Sequence, residues 1–302
     1  MQPVRKAEIA NEGAPQAVTG VRIREITAAD LPAVAALLTR GFAFRSEAYW
    51  LRGLDRHASR ARPAGFPAFG YCLDHGGVPV GVILLLFSNV QAEGGQTIVR
   101  ANVSSWYVEP AFRAFSSMLV RAATRDKTVT YFNITPAPHT WPQVEAQGFK
   151  VYCKGQIYAA LALSRPLADV TVAQFDEGDR AGLSSYEAEL LRQHAAWGCL
   201  SVVVRHSGTA HPFVFQKHRV KNVLPIDRLL YCRDLGDLVR FAGNLGRFLT
   251  RRGGLLVRID ANQPMAGLIG WYSAKRGRKY AKGPHPPRLG DLAFTEAALF
   301  DG

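Results

Sequence analysis

The sequence is short of cysteine and of long apolar runs, and each shortage narrows what the chain can be. Its four cysteines are widely spaced and form no Cys-x-x-Cys pair. We therefore expect reduced, buried or half-buried thiols rather than a disulfide framework or a zinc site. The longest apolar run, residues 78–87, contains Pro79 and Gly81 and is shorter than the roughly 18 residues of a membrane-spanning helix. With no secretory signal pattern at the start, the sequence predicts a cytoplasmic protein without a membrane span.

Several catalytic motifs are missing as well. The sequence contains no Gly-x-Ser-x-Gly elbow, no Gly-x-x-x-x-Gly-Lys-Ser/Thr loop and no His-x-x-x-His pair. Serine hydrolysis, nucleotide hydrolysis and metal-dependent chemistry are therefore not expected. Gly243 and Gly246 lie within a helical pattern, where packing explains them.

Acidic residues are scarce relative to basic ones. Lysine and arginine number 37 against 24 aspartates and glutamates, which gives a net charge of +13. Such an excess favours a polyanionic partner: nucleic acid, anionic lipid or a phosphorylated cofactor. The excess could also form an ordinary solvated basic face, and the net charge alone does not distinguish between these possibilities. Part of the excess lies in an acid-free stretch, Lys275, Arg276, Arg278, Lys279, Lys282 and Arg288.

The hydrophobic pattern divides the chain into an arm and two similar halves. Residues 1–20 show no periodicity and predict a flexible N-terminal arm, followed by domains at 21–165 and 166–302. In the first domain we predict strands at 21–26, 69–73, 78–87, 97–108 and 152–163, helices after Thr27 and over 46–57, and a hairpin turn at 74–77. In the second we predict helices over 179–197 and 234–251, a hairpin turn at 206–209, and strands at 229–232 and 254–260. This order predicts an α+β fold with mixed, mainly antiparallel sheets flanked by helices.

The stretch from Ser104 to Phe149 carries the most chemical information. It predicts a strand that ends near Glu109-Pro110, an amphipathic helix, a second strand and a short helix before Gly148-Phe149. A strand that leads into a helix N-terminus directs backbone N–H groups and a positive dipole end at one point, which favours phosphate.

These residues resemble the GNAT superfamily of acyltransferases, most of which move an acyl group from acyl-coenzyme A to an amine. The family motif runs Val-x-Pro-x-x-Arg-Gly-x-Gly-x-Gly/Ala, and Val108, Pro110 and Arg113 match it. Asn133 and the pair Gly148-Phe149 match later features. The resemblance covers residues 21–163 well and the second half in outline. It implies two tandem GNAT-like domains, with acetyl-coenzyme A or a longer acyl-coenzyme A as donor and no metal.

The resemblance also implies which residues hold the donor. Backbone groups of the strand end and the loop after it would bind the pantetheine and pyrophosphate, assisted by an asparagine on the next strand: Trp106, Tyr107, Val108, Arg113, Ala114, Phe115, Ser116, Ser117, Met118 and Asn133. Three of these replace motif glycines: Ala114, Ser116 and Met118. Alanine and serine are small enough to leave amides reachable, whereas Met118 fits only if it faces the core. The tyrosine that often serves as general acid in the family is Val144 here.

Three side chains are candidates for proton transfer or for holding the reacting groups. Glu109 lies where the strand meets the loop, His139 is of the residue type that most often transfers protons near neutral pH, and Tyr131 is on the neighbouring strand. Each has an ordinary alternative: a solvated acid, a structural histidine and a core tyrosine. Ser104 and Ser105 are further candidates on the first strand.

The second half suggests an acceptor-binding or structural role. Asp260-Ala261-Asn262 follows a buried strand and could bind an acceptor amine or form an Asx turn. The basic stretch at 275–288 could grip phosphate or tRNA. Three functions follow as hypotheses: an acyl-coenzyme A-dependent acyltransferase with a small-molecule acceptor, an aminoacyl-tRNA-dependent transferase of tandem-GNAT type, and a catalytically inactive coenzyme A- or ligand-binding protein.

Overall fold

The computed structural model of the protein describes residues 20–92, 95–220 and 224–300. The arm predicted for residues 1–20 lies outside them apart from Gly20.

The strands, in chain order, are β1 Val21–Glu25, β2 Gly70–His75, β3 Val78–Gln91, β4 Thr97–Val108, β5 Thr130–Asn133, β6 Lys150–Cys153, β7 Gly155–Ala159, β8 Val170–Gln174, β9 Leu200–His206, β10 Thr209–Val220, β11 Leu224–Cys232, β12 Leu256–Ala261, β13 Gly270–Ser273 and β14 Lys279–Lys282. The α-helices are α1 Leu31–Gly41, α2 Glu47–Ser59, α3 Ser116–Ala123, α4 Trp141–Ala146, α5 Ser185–Ala196, α6 Leu235–Arg240, α7 Ala242–Thr250 and α8 Glu296–Leu299. Short 3₁₀ turns occur at Ala28–Asp30, Pro110–Phe115, Pro138–Thr140 and Leu161–Leu163.

The described strands form two seven-stranded sheets with matching order. The first runs β1-β2-β3-β4-β5-β14-β6, and the second, read from its other edge, runs β8-β9-β10-β11-β12-β7-β13. Neighbouring strands are antiparallel except for β4 with β5 and β11 with β12, which are parallel. The predicted α+β architecture with two similar halves is therefore confirmed.

The two sheets exchange one strand each. β14, from near the end of the chain, lies between β5 and β6 in the first sheet. β7, from the middle of the chain, lies between β12 and β13 in the second sheet. Both exchanged strands occupy the same place, one in from the edge. The sheets therefore do not divide the chain at residue 165, where the sequence predicts a domain boundary.

Local sequence signals explain the first elements. The Asp30 carboxylate accepts a hydrogen bond from the Thr27 backbone N–H at 2.8 Å, and this capping box starts the helical segment. The β2–β3 hairpin turns at Gly76 and Gly77, whose φ values are +61° and +88°. Such angles suit glycine and the tight hairpin turn. The Asp74 carboxylate accepts the Gly77 N–H at 3.1 Å.

The first sheet has two different faces. Its outer face packs against α3 and α4, through Leu119 and Val144 among others. Its inner face packs against α1, α2, α8 and, from the second half, α5. One apolar core thus spans both halves, since Leu84 of β3 and Leu190 of α5 belong to it. On the far face of the second sheet, α6 and α7 cover a separate core.

Three predicted elements are divided or shortened. The strand predicted at 152–163 is wrong, because the chain leaves the first sheet after Cys153 and enters the second at Gly155. The helix predicted from residue 179 begins at Ser185, where Ser184 and Glu187 form a capping box. The helix predicted over 234–251 breaks at Phe241, so that α6 and α7 follow each other.

Candidate active site

The first sheet opens where β4 and β5 diverge. Parallel pairing joins them from Arg100 opposite Thr130 to Asn102 opposite Phe132 and then stops. β4 continues to Val108, but among the described residues no strand pairs with residues 103–108 on the side of β5. Backbone groups without strand partners can bind an extended ligand. The divergence thus creates a gap with an open strand edge.

A β-bulge lies in β4 beside this gap. Tyr107 pairs with Val82 and Ser104 pairs with Leu84, so two residues of β4 oppose one residue of β3. Ser105, inside the bulge, has a φ of +46°, which is uncommon for a residue other than glycine. Bulges redirect side chains and often lie next to active sites. Here the hydroxyl oxygens of Ser104 and Ser105 lie 3.0 Å apart.

The carboxylate of Glu296 spans the gap. The Ser104 hydroxyl donates a hydrogen bond to one carboxylate oxygen, and the Thr135 hydroxyl donates to the other at 2.5 Å. The Glu296 backbone N–H donates to the side-chain oxygen of Asn102 at 2.7 Å. An acidic group is therefore fixed between β4 and the segment that follows β5. Sequence reasoning missed Glu296, because it lies 192 residues beyond Ser104 and no local pattern marks it.

Alternate residues of β4 hold the C-terminal segment on the inner face. Arg100 donates to both carboxylate oxygens of Asp291, at 2.8 and 3.1 Å, and to the Ala293 carbonyl at 3.0 Å. Burial alone would raise the pKa of Asp291, but the charge of Arg100 outweighs it and lowers that pKa below its ordinary value. The buried Arg100–Asp291 ion pair and Asn102 together fix the position from which Glu296 enters the gap.

The corresponding gap in the second half is filled by the chain itself. β11 and β12 pair from Ile226 to Arg228 of β11 and then separate. The Cys232 N–H donates to the Gly290 carbonyl at 2.9 Å, and the Leu292 N–H donates to the Leu230 carbonyl at 2.7 Å. Residues 290–292 thus occupy the open edge of β11. Among the described residues, no backbone segment fills the equivalent gap of the first half in this way.

The predicted phosphate loop has a helical conformation. Pro110–Phe115 is a 3₁₀ turn that runs directly into α3. The Phe112 N–H donates to the Glu109 carbonyl and the Ser116 N–H to the Arg113 carbonyl, so two amides are used internally. No residue from 110 to 118 has a positive φ, as expected when glycine is replaced. Met118 is 42% exposed, which excludes the core position that would have accommodated it.

The surface around α3 is nevertheless strongly basic. Between residues 110 and 140 the chain has four lysine and arginine side chains, with Asp126 as the sole acid. All four are exposed: Arg113, Arg121, Arg125 and Lys127. Ser117, also exposed, lies one turn before Arg121 on α3. The arrangement supplies positive charge and a hydroxyl donor on the exposed surface of α3 and the residues around it.

The other predicted donor-binding residues lie along β4 and at the end of β5. Tyr107 packs its ring on Gly41 of α1, where a Cβ atom would be 2.4 Å from the ring. Val108 is buried in the outer-face core, and the Trp106 ring packs against the same core. Its indole N–H is buried and has no hydrogen-bond partner among the described residues. Asn133 accepts the Thr135 N–H at 3.3 Å. Phe115 packs against the outer-face core.

The three predicted catalytic residues do not converge on the gap. Glu109 forms an ion pair with Arg40 of α1 at 2.7 Å. His139 is exposed and has no hydrogen-bond or ion-pair partner in the described part of the chain. Tyr131 is buried in the outer-face core, where burial raises its pKa to about 12. Roles for these residues stay predictions, and the carboxylate found in the gap is that of Glu296.

The polar features predicted in the second half join the two sheets. The Lys279 ammonium and Asp260 carboxylate form a buried ion pair at 2.6 Å. Asn262 accepts the Lys154 N–H at 2.7 Å and donates to the Tyr152 carbonyl at 3.1 Å, at the crossing between β6 and β7. These contacts join distant parts of the chain and are structural, which differs from the local Asx turn that the sequence suggested.

Most of the basic stretch at 275–288 is also engaged within the protein. Lys279 is buried in its ion pair, and the Arg278 guanidinium lies 4.1 Å from the centroid of the Trp141 ring. Lys282 donates to the Thr124 hydroxyl at 3.3 Å. The stretch therefore does not present a continuous basic surface.

The described residues show neither a metal-binding cluster nor a membrane-spanning helix. Residues 20–92, 95–220 and 224–300 contain no group of three or more His, Cys, Asp or Glu side chains placed to hold a metal ion. In the same ranges, no helix has the length and apolarity needed to cross a bilayer. The four cysteines are buried and unpaired.

Comparison with known proteins identifies the fold. No protein-family model matches the sequence, and no curated protein does. Among solved structures, an acetyltransferase candidate from Pyrococcus horikoshii is similar over 95% of this chain and 97% of its own, with 11% identity and a TM-score of 0.54. A GCN5-related N-acetyltransferase from Anabaena variabilis matches 86% of this chain and 72% of its own, with 11% identity and a TM-score of 0.55. Eis1 from Mycobacterium abscessus matches 90% of this chain and 74% of its own, with 12% identity and a TM-score of 0.51. The chain has the GNAT fold, present as two tandem domains.

Proposed function

We propose that the protein transfers an acyl group from acyl-coenzyme A to an amine or hydroxyl acceptor. The observation that carries this proposal is the gap between β4 and β5, with the Glu296 carboxylate held inside it. The fold supports it, since the similar structures include proteins named as acetyltransferases. A second supporting observation is that the equivalent gap of the other half is closed by residues 290–292.

The donor would bind along the open edge of β4 and over the N-terminal end of α3. Backbone groups of Trp106 to Val108 would receive the pantetheine chain. The phosphates would meet the exposed side chains of Arg113, Ser117 and Arg121, because few loop amides remain to bind them. Charge-assisted hydrogen bonds from arginine are well suited to phosphate.

Glu296 is the group best placed to accept a proton. When the acceptor nitrogen attacks the thioester carbon, a C–N bond forms, the C–S bond breaks and the sulfur leaves as a thiolate. We assign Glu296 the proton that the nitrogen loses, directly or through the hydroxyls of Ser104 and Thr135, which touch its oxygens. Proton transfer from this carboxylate or from solvent then neutralises the thiolate. Glu109 stays an alternative base, with its carboxylate bound to Arg40.

The acceptor would approach from the link between α1 and α2. Aromatic side chains gather there beside Tyr107. The Phe42 ring lies 6.4 Å from the Tyr107 ring, and the neighbouring Phe44 is 80% exposed. An exposed aromatic surface of this kind favours an acceptor with an apolar portion. No observation favours aminoacyl-tRNA as the donor, because much of the 275–288 stretch is bound internally.

Calorimetry with acetyl-coenzyme A and with a longer acyl-coenzyme A tests the donor. We expect saturable binding that weakens by about tenfold or more in Arg113→Glu, since the reversal removes a charge-assisted contact. Arg251→Glu, an exposed arginine after α7, serves as the matched charge control and should bind normally. Circular dichroism first shows that the protein is folded. If neither donor then gives a heat of binding, the proposal is refuted, and the GNAT fold of this protein serves another ligand.

A further inference from the structure

A large cavity lies between the two halves, away from the gap that holds Glu296. Its volume is about 840 Å³, within the range of small-molecule sites. Its wall combines the end of β3, the start of β4, the start of α5, the end of β11 and the loop of residues 284–288. Arg100 lines it from β4, four residues before Ser104. Glu296, Ser104 and Thr135 are not among the residues that line the cavity.

The acidic side chains of the cavity are already bound by arginines. Asp291 receives two hydrogen bonds from Arg100. Glu187 receives two from Arg233, at 2.7 and 2.8 Å, and also caps the N-terminus of α5 through Ser184. Neither carboxylate is therefore available to attract a cation.

Arginine and tyrosine side chains supply further donors in the cavity, beside the side chains of Gln91, Ser184 and His285. Arg288 forms no salt bridge with a described residue, although its charge also acts on Asp291. One guanidinium nitrogen donates to the Leu289 carbonyl at 3.4 Å, and the guanidinium lies 5.2 Å from the centroid of the Tyr231 ring. Tyr186 and Tyr231 line the cavity, and neither hydroxyl is hydrogen-bonded to a described residue. Burial raises the pKa of both phenols, so they stay protonated and can donate. The N-terminal end of α5 adds positive potential.

The rest of the wall is apolar and partly flat. Val90 and Ile98 contribute aliphatic surface, and the two tyrosines share the lining with prolines of the 284–288 loop, Pro284, Pro286 and Pro287. Donors without available acceptors select an anion, whereas rings and prolines select a flat apolar body.

We infer that this cavity binds an organic anion, a carboxylate or phosphate on a flat apolar body, with Arg288 as its charge partner and the hydroxyls of Tyr186 and Tyr231 as further donors. The site is distinct from the donor site proposed above. It therefore does not depend on the acyltransferase proposal.

Calorimetry on the full-length protein tests the site with 2-naphthoate and phenyl phosphate. Inorganic phosphate and the neutral 2-naphthylmethanol are the matched probes that each lack one half of the ligand. We expect the two aromatic anions to bind saturably and at least about tenfold more tightly than either partial probe. The stronger of the two anions then distinguishes a carboxylate ligand from a phosphate.

Two variants assign the binding to the cavity. Arg288→Gln should weaken it by about tenfold or more, and Tyr186→Phe, which removes one hydroxyl and conserves the ring, by several-fold. Arg251→Gln should bind like the unmodified protein. The affinity for the aromatic anions should be the same in the presence of saturating acetyl-coenzyme A, and the same in the Arg113→Glu variant. These two measurements keep this test separate from the test of the donor site. Failure of both aromatic anions to bind, full binding by both cavity variants, or displacement by coenzyme A would each overturn the inference.

Discussion

Protonation of the buried His194 should limit the stability of the protein below neutral pH. Its ring lies between α5 and the C-terminal segment: Nδ1–H donates to the Leu190 carbonyl at 2.7 Å, and Nε2 accepts the Phe294 N–H at 3.2 Å. Only the neutral ring can do both. Burial lowers the pKa of His194 to about 4 in the folded protein, against an ordinary value of 6.5 for histidine.

The sign and size of the effect follow from that difference. Between pH 6.5 and pH 4 the unfolded chain binds a proton at this position that the folded protein does not. The free energy of unfolding therefore falls as the pH is lowered through this window, and is constant above it for this group. One pKa unit corresponds to about 1.4 kcal/mol, so His194 should account for a loss of about 3 kcal/mol by pH 4.

Denaturant unfolding at a series of pH values measures this contribution. His194→Gln removes the titrating group and should flatten the decline between pH 6.5 and pH 4, although its stability at pH 7 should be lower because the ring packing is lost. His139→Gln, at an exposed histidine, should retain the slope of the unmodified protein. If His194→Gln retains the full slope as well, the reasoning is wrong. The buried His57, whose pKa burial also lowers, would then be the first residue to examine.

Three further substitutions have defined outcomes. Glu296→Gln should lower the turnover number in an acyl-transfer assay by about a hundredfold or more, while the dissociation constant of the acyl donor stays the same. A turnover number equal to that of the unmodified protein would show that Glu296 is not the base. Gly246→Ala places a Cβ 2.1 Å from the Ala162 backbone nitrogen and should lower the free energy of unfolding by about 3 kcal/mol, measured by denaturant unfolding. An unchanged denaturant midpoint would contradict this, because α7 would then shift to make room for the methyl group. Burial raises the pKa of Asp227 to about 6 despite the opposing charge of Lys217, so ionising it opposes folding as the pH rises from about 4 to 6. Asp227→Asn should therefore raise the thermal midpoint at pH 7 but not at pH 4, and a gain of equal size at both would contradict this assignment.

Local patterns in the sequence predicted the single elements well, because their causes are local. Alternation marks β1, Gly76 and Gly77 mark the first hairpin, and the full extent of β4 is predicted from residue 97 to residue 108. The same local patterns could not show that β6 and β7 belong to different sheets. An apolar strand residue has the same character whichever core it enters, so the crossing at Lys154 leaves no trace in the pattern.

The candidate site was predicted only on its β4 side for a related reason. Ser104, Trp106 and Arg113 lie in one stretch whose motif can be recognised. Glu296 enters the gap from the far end of the chain, held by Asn102 and by contacts that the fold alone creates. The basic stretch at 275–288 shows the opposite case, in which a conspicuous charge pattern proves to be used largely for internal packing.

The strand exchange has a consequence for how the protein is made. The first sheet lacks its β14 strand until residue 282 has left the ribosome, although residues 21–153 supply every other strand of that sheet. While the second half is synthesised, β5 therefore keeps an open edge and β6 has no strand partner. The pairing that closes the sheet joins β14 to β5, residues about 150 positions apart in sequence. We therefore expect that neither half folds independently when cut near residue 165. Expression of the separate halves should yield aggregation-prone chains, and mixing the two during refolding should recover more soluble protein than either gives alone.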